Sequence, residues 1–341
     1  MAHDWPQGLV QAWHPIAYRR EVKDRPLAVR LMDRRLVLFA GENGLALLED
    51  RCPHRGVPLS AGRVCAGQIE CPYHGWRFDH AGQCRKVAGS ADPAGARAAS
   101  LPVREYAGLV WTTLQNDPAR FPELPGEVFD PAHDSFWWHL PPSRGSIGDA
   151  IENLLDPMHS YFLHPGLVRQ VREPQGVAMT FTAGGETASA SYTEPGAALT
   201  WLQRLTEGGR TRSWGHYRAP TQVQIAFEDA RGVHAAISVV FSPVSAEETR
   251  PYACFSTRKG WLPAWLKRAL IVAFHRKVLS QDLAMLRLQL ENNTSFGGPD
   301  YHHGPLDLFG PAIWAGLNGR PIKGLETSLT LGCDPAATRP D

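Results

Sequence analysis

Two short stretches decide how this chain reads: Cys52-Pro53-His54-Arg55-Gly56 and, with sixteen residues between His54 and Cys71, Cys71-Pro72-Tyr73-His74-Gly75-Trp76. Each supplies one Cys and one His. Two thiolates and two imidazoles at this spacing suit either a single tetrahedral zinc or two irons bridged by sulfide, with the thiolates on one iron and the imidazoles on the other. A zinc finger usually groups Cys with Cys and His with His. One Cys and one His per loop instead suits two loops reaching over a dinuclear cluster from both sides. Pro and Gly beside each pair let the loops bend tightly while backbone N–H groups face the sulfurs.

The composition around these loops limits the alternatives. Four of the six cysteines lie between Cys52 and Cys84, too few and too clustered for a disulfide scaffold, and in a reducing compartment such clustering points to metal. Cys65 and Cys84 match neither loop; they read as small buried hydrophobes or free thiols, with a mutual disulfide as the minor alternative. Thirty-five Lys+Arg against 34 Asp+Glu give a net charge of +1 in 341 residues. The basic footprint of a nucleic-acid binder is missing. No run approaches the roughly 20 apolar residues of a membrane span, and Met1 to Gln7 does not open a signal peptide. The expectation is a cytoplasmic protein with neither nucleic acid nor membrane as partner.

Short apolar runs at Leu27–Leu31, Leu36–Phe39, Leu45–Leu48 and Leu109–Thr112, separated by turn residues, predict a small antiparallel β domain over 8–114. Three prolines in eight positions, Pro118 to Pro125, mark a linker over 115–135. Beyond it, a helix over 147–164, β-like segments at Val177–Thr182, Ala188–Tyr192, Val223–Phe227 and Ala236–Phe241, and a long helix over 262–292 predict a second, α+β domain over 136–332. Residues 333–341 read as a tail. The fold class is α+β.

The second domain holds its own cluster, Asn153-Leu154-Leu155-Asp156-Pro157-Met158-His159-Ser160-Tyr161-Phe162-Leu163-His164-Pro165. On a helix Asn153, Asp156 and His159 share one face. His164, five residues beyond His159, is turned well away from it. Both imidazoles therefore reach one metal only if the helix is distorted or ends here, which Pro157 and Pro165 favour. Two histidines need one carboxylate to make the facial triad that leaves positions open on Fe(II). Asp282 is the candidate, at i+4 between Val278 and Leu286 and flanked by Leu279, Leu283 and Met285, because a carboxylate in an apolar stripe requires a cation or a metal. A structural role for Asp282 beside Arg276 or Arg287, and a capping role for Asn153, are the competing readings.

Both constellations resemble one family. Cys-x-His with Cys-x2-His, in the settings CPHRG and CPYHGW, resembles the Rieske 2Fe-2S domain. The run Glu152-Asn153-x2-Asp156-x2-His159-x4-His164, with Gln281-Asp282-x3-Leu286-x2-Gln289 far downstream, looks like the catalytic domain of Rieske non-haem iron oxygenases. The short branch of vanillate and dicamba O-demethylases is the nearest in pattern. The resemblance runs from about Trp13 to Gln289. Arg85-Lys86-Val87 departs from the family pattern without touching a ligand position, and the last fifty residues match nothing recognised.

The resemblance implies an antiparallel β Rieske domain, then a catalytic domain with an antiparallel sheet flanked by helices, of helix-grip or START-like type. It implies that Cys52 and Cys71 bind one iron of a 2Fe-2S cluster and His54 and His74 the other. His159, His164 and Asp282 would bind a mononuclear Fe(II); Asp156 would bridge the two redox centres, and Asn153 would lie near the iron. A one-electron cluster must be reloaded for a two-electron oxygenation, and the chain shows no nicotinamide or flavin signature. A ferredoxin and/or flavin reductase oxidising NAD(P)H is the implied donor. O2 and a small aromatic or cyclic molecule are the implied substrates, hydroxylated or oxidatively demethylated, with monooxygenation favoured over dioxygenation. A homotrimer is the implied assembly, electrons passing from His74 of one chain to Asp156 of the next.

The alternative is a Rieske electron-transfer protein whose second domain only docks partners. Substrate signals are thin. Seven of eleven tryptophans (137, 138, 201, 214, 261, 265 and 314) follow the linker and read as core before pocket, and Arg204, Arg210, Arg212 and Arg218 read as solvated before substrate-binding.

Overall fold

The computed structural model describes residues 4–90, 95–115, 120–169, 176–193 and 211–332. Trp201, Arg204, Arg210, linker residues 116–119 and the tail 333–341 lie outside the described residues. The chain divides into two compact units. One comprises Met1–Trp5, Val10–Pro122 and Ser242–Ala246; the other comprises Pro6–Leu9, Glu123–Phe241 and Glu247–Asp341.

The first unit is built of short antiparallel strands: β1 His14–Tyr18, β2 Leu27–Leu31, β3 Arg34–Gly41, β4 Gly44–Glu49, β5 Arg63–Cys65, β6 Gln68–Glu70, β7 Arg77–Phe78, β8 Cys84–Lys86, β9 Ser100–Leu101, β10 Val103–Tyr106 and β11 Leu109–Thr112. They form three sheets, ordered β1-β11-β10, β2-β3-β4-β9 and β5-β6-β7-β8. Leu31 pairs with Arg34 across a two-residue turn. Both turn residues, Met32 and Asp33, have positive φ (46° and 64°), the conformation whose twist matches antiparallel strands. The run Leu36-Val37-Leu38-Phe39 is buried on both faces of β3. From it the core continues through Leu48, Ile69 and Phe78 to Cys52, Cys71 and Cys84. Cys65 and Cys84 are free thiols, Cys84 inside this core and Cys65 half-buried.

The second unit carries a sheet of nine strands among the described residues: β12 His133–His139, β13 Ser143–Arg144, β14 Val177–Gly185, β15 Thr187–Thr193, β16 Arg212–Arg218, β17 Gln222–Asp229, β18 Gly232–Ser245, β19 Glu248–Arg258 and β20 Ile322–Leu331. Their order is β12-β19-β18-β17-β16-β15-β14-β20, with β13 also on β19. The strand period of two places Val177, Met179 and Phe181 with Ala188, Ala190 and Tyr192 on the buried face. Besides a five-residue helix at Gln7–Gln11, the α-helices among the described residues are α1 Ile147–Leu155, α2 His159–Leu163, α3 Ala264–Ser295 and α4 Phe309–Leu317. α1 buries Ile147, Ala150, Ile151 and Leu155 at helical spacing. Its first turn is capped by Ser146, whose Oγ accepts from the Asp149 N–H at 3.1 Å. Phe309 of α4 meets Phe181 edge to face at 5.2 Å.

Four expectations change in detail. The helix anticipated over 147–164 is two helices, broken at Asp156-Pro157-Met158. A strand begins at His133 inside the stretch read as linker. α3 has no continuous apolar stripe: it buries only Ile271 and Leu286, and Met285, placed beside Asp282 in that stripe, is exposed. The described tryptophans after the linker are not core either. Trp137, Trp138 and Trp214 are half-buried, and Trp261, Trp265 and Trp314 are exposed. Arg212 and Arg218 are exposed as expected.

Candidate metal centres

In the first unit, β4 leads into the loop of Cys52 and β6 into the loop of Cys71. The two loops close in the same way. The Cys52 carbonyl accepts from the Gly56 N–H at 2.8 Å while the Cys52 N–H donates to the Val57 carbonyl at 2.9 Å. The Cys71 carbonyl accepts from the Gly75 N–H at 3.1 Å while the Cys71 N–H donates to the Trp76 carbonyl at 2.8 Å. Gly56 and Gly75 both lie in the left-handed region, φ 73° and 68°, and each turn needs glycine for that reason and not for close approach.

Cys52 and Cys71 are buried, and burial, reinforced by the neighbouring Cys71, pushes the Cys52 thiol up to about 11. His54 stacks on Trp76 at 4.5 Å and meets His74 edge to face at 4.7 Å. Its Nδ1 is buried with no hydrogen-bond partner. A pair of paired thiols in an apolar core, next to two imidazoles with an orphaned nitrogen, fits a bound metal cluster that takes up thiolate and lone pair together.

In the second unit, Pro157 explains the break between α1 and α2. The residue before a proline is driven from helical to extended backbone, and Asp156 accordingly sits at φ −69°, ψ 117°. Its carboxylate then turns forward to start the next helix, Oδ1 accepting from the Met158 N–H at 2.7 Å and Oδ2 from the His159 N–H at 3.1 Å. Burial raises the Asp156 carboxyl, but His159 and these N–H groups outweigh it and hold it below its usual range. His164 ends α2 at φ −118°, ψ 44°. The two distortions bring the rings of His159 and His164 to 5.3 Å, nearly perpendicular.

Asp282 of α3 completes the group. Its Oδ1 lies 3.0 Å from His164 Nε2 and 3.7 Å from His159 Nε2. Ligand atoms of His159, His164 and Asp282 all fall within 4.8 Å of one another. His164 Nε2 and Asp282 Oδ1 are buried and not aligned for a hydrogen bond, and His159 Nδ1 is likewise unpartnered. Two imidazoles and one carboxylate turned on a shared point, with their buried polar atoms unsatisfied, fit a divalent metal. Of the competing arginines, Arg287 pairs instead with Glu291 at 3.7 Å.

Asn153 is on α1 and lines a cavity of about 390 Å3 together with Glu152, Asp156, Tyr192, His303 and Phe309. Glu152 in this cavity is raised by burial and by nearby Asp307, Asp149 and Asp156, against the opposing charge of His303. One residue had no role in the sequence reading. Gln281, the neighbour of Asp282, holds His164 Nδ1 at 2.8 Å through Oε1. Its signal was its place in the family-like run Gln281-Asp282-x3-Leu286-x2-Gln289, beside the carboxylate.

Residues 12–106 match the Rieske [2Fe-2S] domain and residues 148–308 the vanillate O-demethylase oxygenase C-terminal domain. The chain belongs to the Rieske oxygenases. This family carries a 2Fe-2S cluster and a mononuclear iron site. Among curated relatives, the chain is 29% identical to Protein TIC 55, chloroplastic, of Arabidopsis thaliana over 311 residues, covering 85% of this chain and 54% of that protein. It is 33% identical to the oxygenase component of dicamba O-demethylase from Stenotrophomonas maltophilia over 162 residues, 45% of this chain and 47% of that one. The chain thus spans about half or less of the length of the curated relatives it matches. Its fold is that of dicamba monooxygenase solved with dicamba bound: TM-score 0.78 at 20% identity, over 91% of this chain and 97% of the other.

Proposed function

We propose that this Rieske oxygenase is a terminal oxygenase component. It takes electrons from a separate ferredoxin and/or flavin reductase and uses O2 to hydroxylate or oxidatively demethylate a small aromatic or cyclic molecule. The observation that carries this reading is the convergence of His159, His164 and Asp282 in a chain that also holds the two Cys/His loops. A pure electron-transfer protein has no use for a two-histidine, one-carboxylate group. In this reading Cys52 and Cys71 hold one iron and His54 and His74 the other, and His159, His164 and Asp282 hold a mononuclear Fe(II). When bound, the cluster supplies one-electron storage and the Fe(II) supplies open coordination positions for O2.

The chain's own residues do the rest. Asp156 fixes the His159 backbone and faces its Nδ1 at 3.7 Å, so it is placed to accept a proton-bearing nitrogen from each side of an electron-transfer contact. The cavity, lined by Met179, Phe181, Leu308 and Phe309 together with Asn153 and Asp156, is of a size for one small ring compound. The similarity to dicamba O-demethylase supports a demethylation or hydroxylation of that kind. The assembly we assign is a homotrimer in which His74 of one copy serves Asp156 of the next, a head-to-tail contact that closes into a ring.

The domain limits we assign are 8–114 and 136–332 as read from the sequence, with the linker after 114 shortened to end before His133, where β12 begins. Among the described residues no helix is long and apolar enough to cross a membrane, and a cytoplasmic location belongs to this proposal, against the chloroplastic relative. The test is O2 uptake driven by NADH and a surrogate reductase, screened over a panel of methoxylated, N-methylated and unsubstituted ring compounds. Uptake coupled to product formation is expected; purified protein that binds iron only as the cluster, with no coupled uptake, would restore the electron-transfer reading.

A further inference from the structure

We infer that Gln281 is a positioning residue for the mononuclear metal, acting through His164; the inference rests on the ligand set proposed above. His164 is 1% exposed, so its ring nitrogens have no access to water and each must find a partner in the protein. Nδ1 lies 2.8 Å from Gln281 Oε1, while Nε2 is unpartnered and points to Asp282 Oδ1 at 3.0 Å. An imidazole binds metal through a lone pair. The Nε2 lone pair is free only in the tautomer whose proton is on Nδ1. An amide oxygen at Nδ1 accepts that proton and so selects this tautomer; an amide NH2 in the same place would select the opposite one and cap the site with N–H.

The second histidine differs. His159 turns Nε2 toward Asp282 Oδ1 and Nδ1 toward Asp156 Oδ2, each at 3.7 Å, and its Nδ1 makes no hydrogen bond. Of the two imidazoles, His164 is the one with a hydrogen-bonded acceptor behind it, the Gln281 amide. Because Gln281 and Asp282 are consecutive on α3, their side chains leave the helix about 100° apart and grip opposite ends of one ring. The same turn of helix delivers the carboxylate and aims a histidine at it.

Outer hydrogen bonds of this kind typically change metal affinity by 10–100-fold. The holoenzyme, with its cluster loaded and its mononuclear site emptied by a chelator, is titrated anaerobically with Fe(II) against a competing chelator. Gln281→Leu, which keeps the shape and removes the acceptor, is expected to weaken Fe(II) binding by about 10–100-fold. Gln281→Glu, which keeps the acceptor, is expected to bind at least as tightly as the unchanged protein. Thermal melts of the apo forms establish that both variants are folded. Wild-type affinity in Gln281→Leu overturns the inference, and so does equal loss in both variants, since then the acceptor atom is not what matters. His164→Ala separates this failure from failure of the ligand set. If His164→Ala retains Fe(II), the ligand set is wrong; if it loses Fe(II) while Gln281→Leu does not, only the role of Gln281 falls.

Discussion

Single residues at these centres have separable duties. Asp282→Ala removes the carboxylate that both histidines face; the Rieske absorbance should stay intact while iron analysis falls to the content of the cluster alone. Iron unchanged in that variant would show that Asp282 is not a ligand. Asp156→Ala should retain both metal centres and lose coupled turnover by 10–100-fold or more, on the order found for groups that orient metal ligands; near-normal turnover would end the bridging role. In the first unit Asp79 accepts from the Ala81 and Gln83 N–H groups and from Arg85 Nε at 2.6 Å, so the Arg85 that departs from the family pattern holds the turn between β7 and β8. Burial raises the Asp79 carboxyl, and Arg85 with these N–H groups holds it below its usual range. A depressed folded pKa stabilises above the unfolded pKa and is lost as pH falls through the folded one. The advantage of the wild type over Asp79→Asn, about 1–2 kcal/mol because Arg85 is solvent-exposed, should therefore be full near neutrality and vanish in acid melts.

At the scale of elements, the decisive feature is an interruption. Five residues of continuous helix would put His159 and His164 on different faces; the break at Asp156-Pro157 and the non-helical His164 let both rings converge. Pro157→Ala relaxes the bias against helix at Asp156. Fe(II) occupancy of the mononuclear site should fall while the cluster spectrum is unchanged, and full occupancy would mean that tertiary packing alone maintains the break. On α3, Leu286 is buried one turn beyond Asp282, beside the chain at Gly145. Leu286→Ala should lower unfolding stability by about 2–5 kcal/mol in chemical denaturation. The need for a distorted helix was legible from the two prolines and the five-residue spacing. The position of the break, and the mixed polar and apolar face of α3, were not, because residue pattern does not say which face a neighbouring sheet covers. Strands such as β16, β19 and β20 went unread for a related reason. Arg212–Arg218 and Ile322–Leu331 alternate with polar and small residues, and Ile322–Leu331 pairs with β14, far away in sequence.

For the whole molecule, the proposed division of labour makes electron transfer a property of the assembly. Chains carrying His74→Ala and chains carrying Asp156→Ala should each be inactive alone. Co-expressed, they should regain a fraction of turnover, because mixed rings contain an intact cluster beside an intact mononuclear site. Light scattering should show a mass of three chains. No recovery in a mixture proven to contain both chains would place the transfer within one chain.

The family and the candidate ligands were legible in the order of residues alone. Cys52, His54, Cys71 and His74 lie in two compact loops whose spacing is local, and local spacing survives any detail of packing. The residue order also supplied Asn153, Asp156, His159 and His164 as one cluster, and it singled out Asp282, although by way of an apolar stripe that α3 does not carry. That Asp282, 118 positions from His164 in sequence number, meets it at 3.0 Å is a product of packing between distant elements. Only the tertiary structure showed that Gln281 holds the other end of the same ring. Such contacts join a helix terminus to the middle of a distant helix, and they are set by how the two elements pack and not by any periodicity within either.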